Sequence, residues 1–413
     1  TVTLGYTFNY EDRNGGDMEV LDGHSSAAHT FFIRNKSLRN TADITWNRQL
    51  AGNASFTARG STSFFNRDIS SNVFGMKGSQ FTWYSEFAYT QKTETHNWVA
   101  GINFNGDDFR KNLPDSSLLP NESSNTLGLF AQDDWKLAHL LTLQAGLRTD
   151  ISSRYGVFVL PRVSLMYKVS HAVTMRMGGG LGYKTPVLFN TEIDERDYHY
   201  IRGYAGGIRS ERSLGVNYDI NYKTRAGEWE LTCNQTFFYN MVKDPILLAT
   251  AGATPLVYQY VNATGKLQSA GFETYIQALA DPWELYLGYV YTHARRTYNA
   301  AAPNLPLIAR NKIASVIAYE FSSHFRAGIE AAYTGRQYLD NGSKTDPYLF
   351  MAMMIRYNVG KAAFVLNCEN LLDYRQNRNA SLVQPPLTNP SFPEIWAPLD
   401  GRVVNLSVYI KLK

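Results

Sequence analysis

Cysteine is nearly absent: Cys233 and Cys368 are the only two in 413 residues. Two thiols cannot build a disulfide framework or a cysteine-based metal centre. They read as side chains packed in a surface. No run approaches the roughly 20 apolar residues of a membrane helix. No charged-then-apolar leader opens the chain, so an exported protein would carry its targeting segment upstream of Thr1. Charge is sparse, with 18% charged residues, a formal net charge of +4 and no basic block, which leaves nucleic-acid binding without support. Convincing helical stripes are missing. So are G-x-S-x-G, H-E-x-x-H and paired-cysteine motifs, and covalent catalysis has no candidate centre. "GGGLG" at 178–182 matches a phosphate loop only in glycine content, since no helix opens after it; it reads as a crowded or bent strand.

Aromatics are plentiful: 27 Tyr, 22 Phe and 7 Trp, a richness that favours strands. In the opening "TVTLGYTFNY", Val2, Leu4, Tyr6, Phe8 and Tyr10 share one face of an extended chain, and Thr1, Thr3, Gly5, Thr7 and Asn9 share the other. The same period of two recurs in "LTLQAGLRTD" (141–150), "WELYLGYVYTH" (283–293) and "VVNLSVYIKLK" (403–413). About 18 such segments are present, many of about 10 to 16 residues, against a usual strand of roughly five or six. That length fits tilted strands crossing a bilayer.

The links between segments alternate in length. Short ones fall at 50–53, 137–139, 169–172, 225–228, 279–282, 322–324 and 358–361; longer polar ones cover 14–26, 106–124, 184–208, 297–309 and 373–400. Short turns on one side and long loops on the other are the organisation of an outer-membrane barrel. In hydrocarbon an unpaired backbone group costs several kcal/mol, so a spanning sheet has to leave no edge. A soluble sandwich or propeller also alternates, but with shorter strands and no segregation of long loops to one end. Tyr286, Tyr289 and Tyr291 near Trp283, and Phe237, Phe238 and Tyr239 near Trp229, are candidates for the interfacial aromatic girdles. Counted from Leu231, Phe237 and Leu366, both cysteines fall on the lipid face of well-separated strands, so they are not expected to pair.

Four stretches resemble the TonB-dependent receptors of the Gram-negative outer membrane. "LGLFAQDDWKLAHLLTLQAGLRTD" (127–150) carries Phe130, Gln132, Asp133, Trp135, then Gly146, Leu147, Arg148 and Asp150. "GLGYKTPVLFN" (180–190) is similar to a strand running into an extracellular loop. "YVNATGKLQSAGFETYIQA" (260–278) carries Asn262, Gly271, Phe272 and Glu273, and "LNCENLLDYR" (366–375) carries Asn367, Asn370, Leu371 and Asp373. The resemblance implies an all-β transmembrane barrel of 22 antiparallel strands, plugged by an N-terminal domain that contacts TonB. Residues 1–413 are then expected to be the barrel domain, with about four strands and the plug lying before Thr1. The family usually ends on an aromatic residue, whereas this chain ends "YIKLK"; Tyr409 is the nearest aromatic.

On this reading the chain is an outer-membrane receptor for active uptake of a scarce bulky nutrient, a ferric siderophore or other iron complex. Its partners are TonB, outer-membrane lipid and lipopolysaccharide, an anionic ligand and, as an option, a surface lipoprotein. The rival is an unplugged porin of about 18 strands for passive diffusion; a barrel enzyme comes third. Candidate ligand-binding residues stand in the long loops. They are Tyr198, His199, Tyr200, Arg202, Tyr204 and Arg209 in one, Arg295, Arg296 and Tyr298 in another, Arg336 and Tyr338 in a third, and Tyr374, Arg375, Arg378 and Trp396 in the last. Arginine with tyrosine suits an anionic, partly aromatic ligand, because guanidinium donates bidentately and both groups stack. The bland alternative is loop anchoring. Among the histidines, His24, His29, His199 and His293 lie in or near long loops and offer nitrogen for haem or a metal, although a solitary loop histidine is ordinarily solvated. No cofactor is called for.

Overall fold

The computed structural model describes residues 1–112, 117–189, 193, 195–253, 256–378 and 380–411. The alternation seen in sequence becomes 18 strands of one antiparallel sheet, each hydrogen-bonded to the next along the chain. Its first half is β1 (Val2–Gly16), β2 (Phe32–Leu50), β3 (Ala54–Ser71), β4 (Gly75–Lys92), β5 (His96–Lys111), β6 (Glu122–Ala138), β7 (Leu141–Ser152), β8 (Gly156–Lys168) and β9 (Val173–Lys184). A separate small sheet pairs β10 (Ile201–Tyr204) in parallel with β14 (Leu256–Asn262), which pairs with β13 (Ile246–Ala253). The wall continues through β11 (Glu211–Ala226), β12 (Trp229–Lys243), β15 (Lys266–Ala280), β16 (Trp283–Arg296), β17 (Asn311–Ser322), β18 (Phe325–Thr334), β19 (Tyr348–Val359), β20 (Ala362–Glu369) and β21 (Val403–Ile410).

Successive side chains point to opposite faces of a strand, and burial tells the two apart. The edge strand β1 is exposed on both faces, but on β6 to β9 the outward Leu129, Leu147, Val163 and Met177 are 47–58% exposed. On the other face Asn103 and Asp150 are buried, 4% and 3% exposed. The apolar face is outward and the polar face inward, the arrangement of a membrane barrel with a wet interior. Register refines the girdle assignment. Tyr289, Tyr291, Phe237 and Tyr239 face out, but Tyr286 lies across from Gln277 and Phe238 from Gly271, on the inward rows. Neighbours in a strand cannot share a face, which is why each trio divides.

Cys233 lies between Tyr222 and Ile276, and Cys368 between Met353 and Val404, on outward rows of β12 and β20. Both are free. Non-reducing mass spectrometry is expected to find no Cys233–Cys368 link; such a link would contradict the strand order.

Eight tight turns at one end join alternate strands: the seven anticipated ones, and one at 93–95. At the other end the links are mostly long, at 17–31, 112–121, 185–210, 244–265, 297–310, 335–347 and 370–402, with two short ones at 72–74 and 153–155. The strands run further than their polar ends suggest. Residues 106–111 belong to β5, since Asp107 sits on the inward row opposite Ser124 and accepts its hydroxyl at 2.9 Å. Epitope tags at Ala226 should be hidden on intact cells and tags at Gly206 displayed; surface labelling at Ala226 would invert the topology.

Among the described residues β1 pairs only with β2 and β21 only with β20, so the sheet is not closed there. The outer rim is nevertheless bridged by the 370–402 loop. Asn72 Nδ2 donates to the Thr388 carbonyl at 2.8 Å, and Phe392 packs on Phe31 with ring centres 6.3 Å apart. Leu412 and Lys413, on which the reading of the chain's end turned, lie outside the described residues.

Candidate functional site

The candidate ligand residues separate into two groups at the long-loop end. In the first, the 185–210 loop folds inward over the mouth. Its 3₁₀ turn Glu195–Tyr200 and β10 lie with the β13–β14 hairpin on the inner tops of β3, β4 and β5. Tyr198, Ile201 and Tyr260 pack there with Ile69, Met76, Phe109, Leu119 and Leu188 in one buried cluster. Tyr260 Oη donates to the Leu188 carbonyl at 2.7 Å. Asn262, one of the residues that carried the resemblance, closes the base: its Oδ1 accepts the Arg209 amide at 2.7 Å, and its Nδ2 donates to the carbonyls of Arg209 and Asp244.

Polar tethers fix this plate to the wall. The Glu195 carboxylate accepts from Arg67 and, at 2.9 Å, from Asn35 Nδ2, with Arg13 3.7 Å away. Tyr204 Oη donates to Glu122 at 2.8 Å, and Arg154 pairs with the same carboxylate at 2.5 Å while lying over the Tyr155 and Tyr204 rings. Burial, and then the Glu122 charge, push the Tyr204 phenol far above its ordinary range, so it remains a donor at any physiological pH. His199 stacks on Phe74 at 4.6 Å, and Tyr200 meets Tyr258 edge-on. Of this group Arg202 and Arg209 are exposed; Arg209 pairs with Asp244.

The second group lies around the 297–310, 335–347 and 370–402 loops. Arg295 and Arg296, adjacent in sequence, part company because strand neighbours point to opposite faces. Arg295 is exposed on the outward side, whereas Arg296 is buried and braces two loops, donating from Nε to the Ala302 carbonyl at 2.8 Å and pairing with Asp340. Tyr374 stacks on Tyr348, and Trp396 closes a three-ring cluster with them. Arg375 is bidentate on Asp373, which also pairs with Arg378; the Arg375 bonds hold the Asp373 carboxyl below its ordinary range. Lys344 lies over the Tyr338 ring, Tyr298 is half-buried, and Arg336 is exposed. Loop anchoring thus accounts for Arg209, Arg296, Arg375 and Arg378, and leaves Arg202, Arg336 and the outward-facing Arg295 as exposed cations without a carboxylate partner among the described residues.

Beneath the first plate the inner wall holds a cavity of about 790 Å³ lined by Tyr84, Asn105, Asp107, Arg148, Asp150, Tyr183 and Lys184 among others. Here the resemblance motif at 146–150 finds its physical role. Arg148 pairs with Asp150 at 2.8 Å and donates to Asn103 at 3.2 Å, and Tyr183 donates to Asp150 at 2.8 Å. Gly128 lies under this network, where a Cβ would stand 2.6 Å from Arg148 Nη2. Tyr84, Asn103, Asn105 and Asp107 were visible in sequence only as residues of alternating strands, whereas Arg148 and Asp150 stood in a stretch that carries the resemblance.

The loop histidines do not converge. His29 Nδ1 lies 2.5 Å from Asp17 Oδ2 and Nε2 3.8 Å from Glu19, and no cluster able to hold a metal occurs among the described residues. The hydrogen bond to Asp17 raises the His29 pKa and lowers that of Asp17. This pair should therefore order the 17–31 loop fully below the ordinary histidine value of 6.5 and release it as pH rises through the raised one. Under acid it persists until pH falls beneath the ordinary aspartate value of 3.8. Proteolytic nicking within 17–31 should increase from pH 6 to pH 9; a flat profile would remove the pair as the cause of order.

Comparison with known proteins gives concordant results. The sequence model of a family described as TonB dependent receptor-like, beta-barrel, matches residues 1–371. An iron-regulated outer membrane virulence protein of Vibrio cholerae serotype O1 is 24% identical over 242 residues. That alignment covers 53% of this chain, which spans only about a third (35%) of the relative's length. In backbone shape, the FrpB iron transporter of Neisseria meningitidis superposes with a TM-score of 0.71 at 15% identity, covering 91% of this chain and 63% of that one. The ferric-catecholate import receptor Fiu of E. coli K12 gives 0.71 at 13%, covering 98% and 71%. At such identities the superpositions show the fold alone.

Proposed function

Because this chain belongs to the TonB-dependent receptor family through its β-barrel, we propose that it is the wall and rim of an outer-membrane receptor that imports an iron complex, with energy delivered through TonB. The observation that carries this is the plate of loops: a folded layer with its own buried core, lying inward over a polar interior, is built to capture and gate. A passive pore needs an unobstructed mouth, so the porin reading loses its ground. The iron-regulated relative and the import receptors of like fold support iron as the cargo's metal.

In this reading Arg202 and Arg336 supply the unpaired positive charge for an anionic complex, with Tyr200 two residues before Arg202. Capture is non-covalent. A plug in the lumen would meet Arg148, Asp150 and Asp107 on the inner wall, and its displacement under force would open the path. Arg202→Ala with Arg336→Ala removes two charge-assisted donors worth roughly 1.5–3 kcal/mol each when bonded to a charged ligand, so affinity should fall at least about tenfold. The measurement is titration of the full-length receptor with a panel of ferric catecholates, ferric hydroxamates and haem. If no complex binds and growth under iron limitation is unaffected by deleting the gene, the iron reading fails; unchanged affinity in the double variant would remove only these arginines.

A further inference from the structure

A second charged feature lies on the opposite face of the wall, away from the mouth. Arg212 on β11 pairs in register with Lys243 on β12, and Lys243 with Lys266 on β15. Arg295 on β16 lies across from Gln268, one outward position further along. All four are exposed, and none has a carboxylate partner among the described residues. Like charges on neighbouring strands repel, so the row calls for an anion of its own. Directly below it the same outward face turns apolar and aromatic, with Leu214, Met241, Tyr239, Phe272 and Tyr291. The cations therefore stand where the wall leaves hydrocarbon for headgroups.

Beside the row the wall is split. β8 and β9 pair from Lys168 opposite Thr174 only as far as Arg162 opposite Gly180. The next residue towards the outer end is Pro161, which has no N–H to continue a ladder. The gap is a cleft of about 270 Å³ lined by Phe158, Leu160, Leu181, Leu214 and Met241, with Arg212 and Lys243 at its edge. Arg212 also lies 5.7 Å over the Phe158 ring. We propose that this is a lipid site: the phosphates of a phosphorylated membrane glycolipid lie along Arg212, Lys243 and Lys266, and one apolar chain enters the cleft. A soluble phosphate has no use for the apolar cleft, and guanidinium and ammonium donors in a row suit more than one phosphate group. The proposal depends on the outward face meeting lipid and is independent of what the mouth binds.

The test titrates the intact receptor in neutral detergent with diphosphoryl lipid A, with the same lipid after phosphate removal, and with inorganic phosphate, read by native mass spectrometry. The phosphorylated lipid should bind, its dephosphorylated form at least tenfold more weakly, and millimolar phosphate should not displace it. Replacing Arg212, Lys243 and Lys266 together by Gln should cost at least tenfold, and Leu181→Trp, which fills the cleft without touching charge, should weaken binding too. Wild-type binding should also fall as ionic strength rises, a readout that needs no variant to assemble. Equal binding of the dephosphorylated lipid, indifference to salt, or full competition by inorganic phosphate would overturn the proposal, the last by making this a free-phosphate site.

Discussion

Replacing Tyr260 by alanine should release the plate of loops from the mouth while leaving the barrel standing. Tyr260 is 1% exposed and lies at the centre of the buried cluster that joins the β13–β14 hairpin to the inner tops of β3, β4 and β5. Large aromatic truncations in such cores cost about 3–5 kcal/mol, and the hydroxyl's bond to the Leu188 carbonyl is lost as well. The wall keeps its own ladders, because no wall strand pairs through this residue. The expected result is rapid cleavage between residues 203 and 209 by protease added to intact cells, with unchanged heat-modifiable migration of the barrel. Tyr260→Phe, which keeps the ring, should stay protected. If alanine leaves the loops as resistant as the wild type, the plate is held elsewhere, and the Arg67–Glu195 tether becomes the next residue pair to test.

What the sequence made legible follows from the period of two. The opening ten residues disclosed which side chains share a face, and the register of β1 on β2 continues that row, with Leu4 opposite Ile44 and Tyr10 opposite Leu38. The same rule could not separate wall from plate. "ILLATAGATPLVYQYV" (246–261) alternates as the wall strands do, yet it turns back on itself as a hairpin above the mouth, because its partners are Ile201 and the tops of distant strands. Nor could spacing reveal the tether, since Arg67 and Glu195 are 128 residues apart and each reads locally as one more solvated charge. The arginine-and-tyrosine pattern marked the right loops but not the right atoms. Arg296 and Arg375 use their donors on Asp340 and Asp373, acids that lie one loop away or two residues back, and only the fold shows which cations are left over.

Gly271→Val should block assembly of the barrel, whereas Gly146→Ala should be tolerated, although both glycines belong to stretches that resemble the family. Gly271 lies on the inward row of β15, opposite Phe238 on one side and Thr292 on the other. A Cβ there would overlap the Tyr291 carbonyl oxygen and come 2.7 Å from Phe238 Cζ. The ring can turn aside, but the carbonyl belongs to the β15–β16 ladder and cannot yield without breaking it. At Gly146 the nearest atoms to a Cβ are 3.5 Å away on the Gln132 side chain, an ordinary contact. A break at Gly271 falls in the middle of the wall, and in a bilayer each backbone group it leaves unpaired costs several kcal/mol. Two or more such groups approach the roughly 5–15 kcal/mol that holds a folded chain together, so the outer-membrane level of the valine variant should drop severalfold. Membrane fractionation and heat-modifiable migration of both variants measure this. Normal assembly of Gly271→Val would show that β15 and β16 can separate locally without loss of the wall.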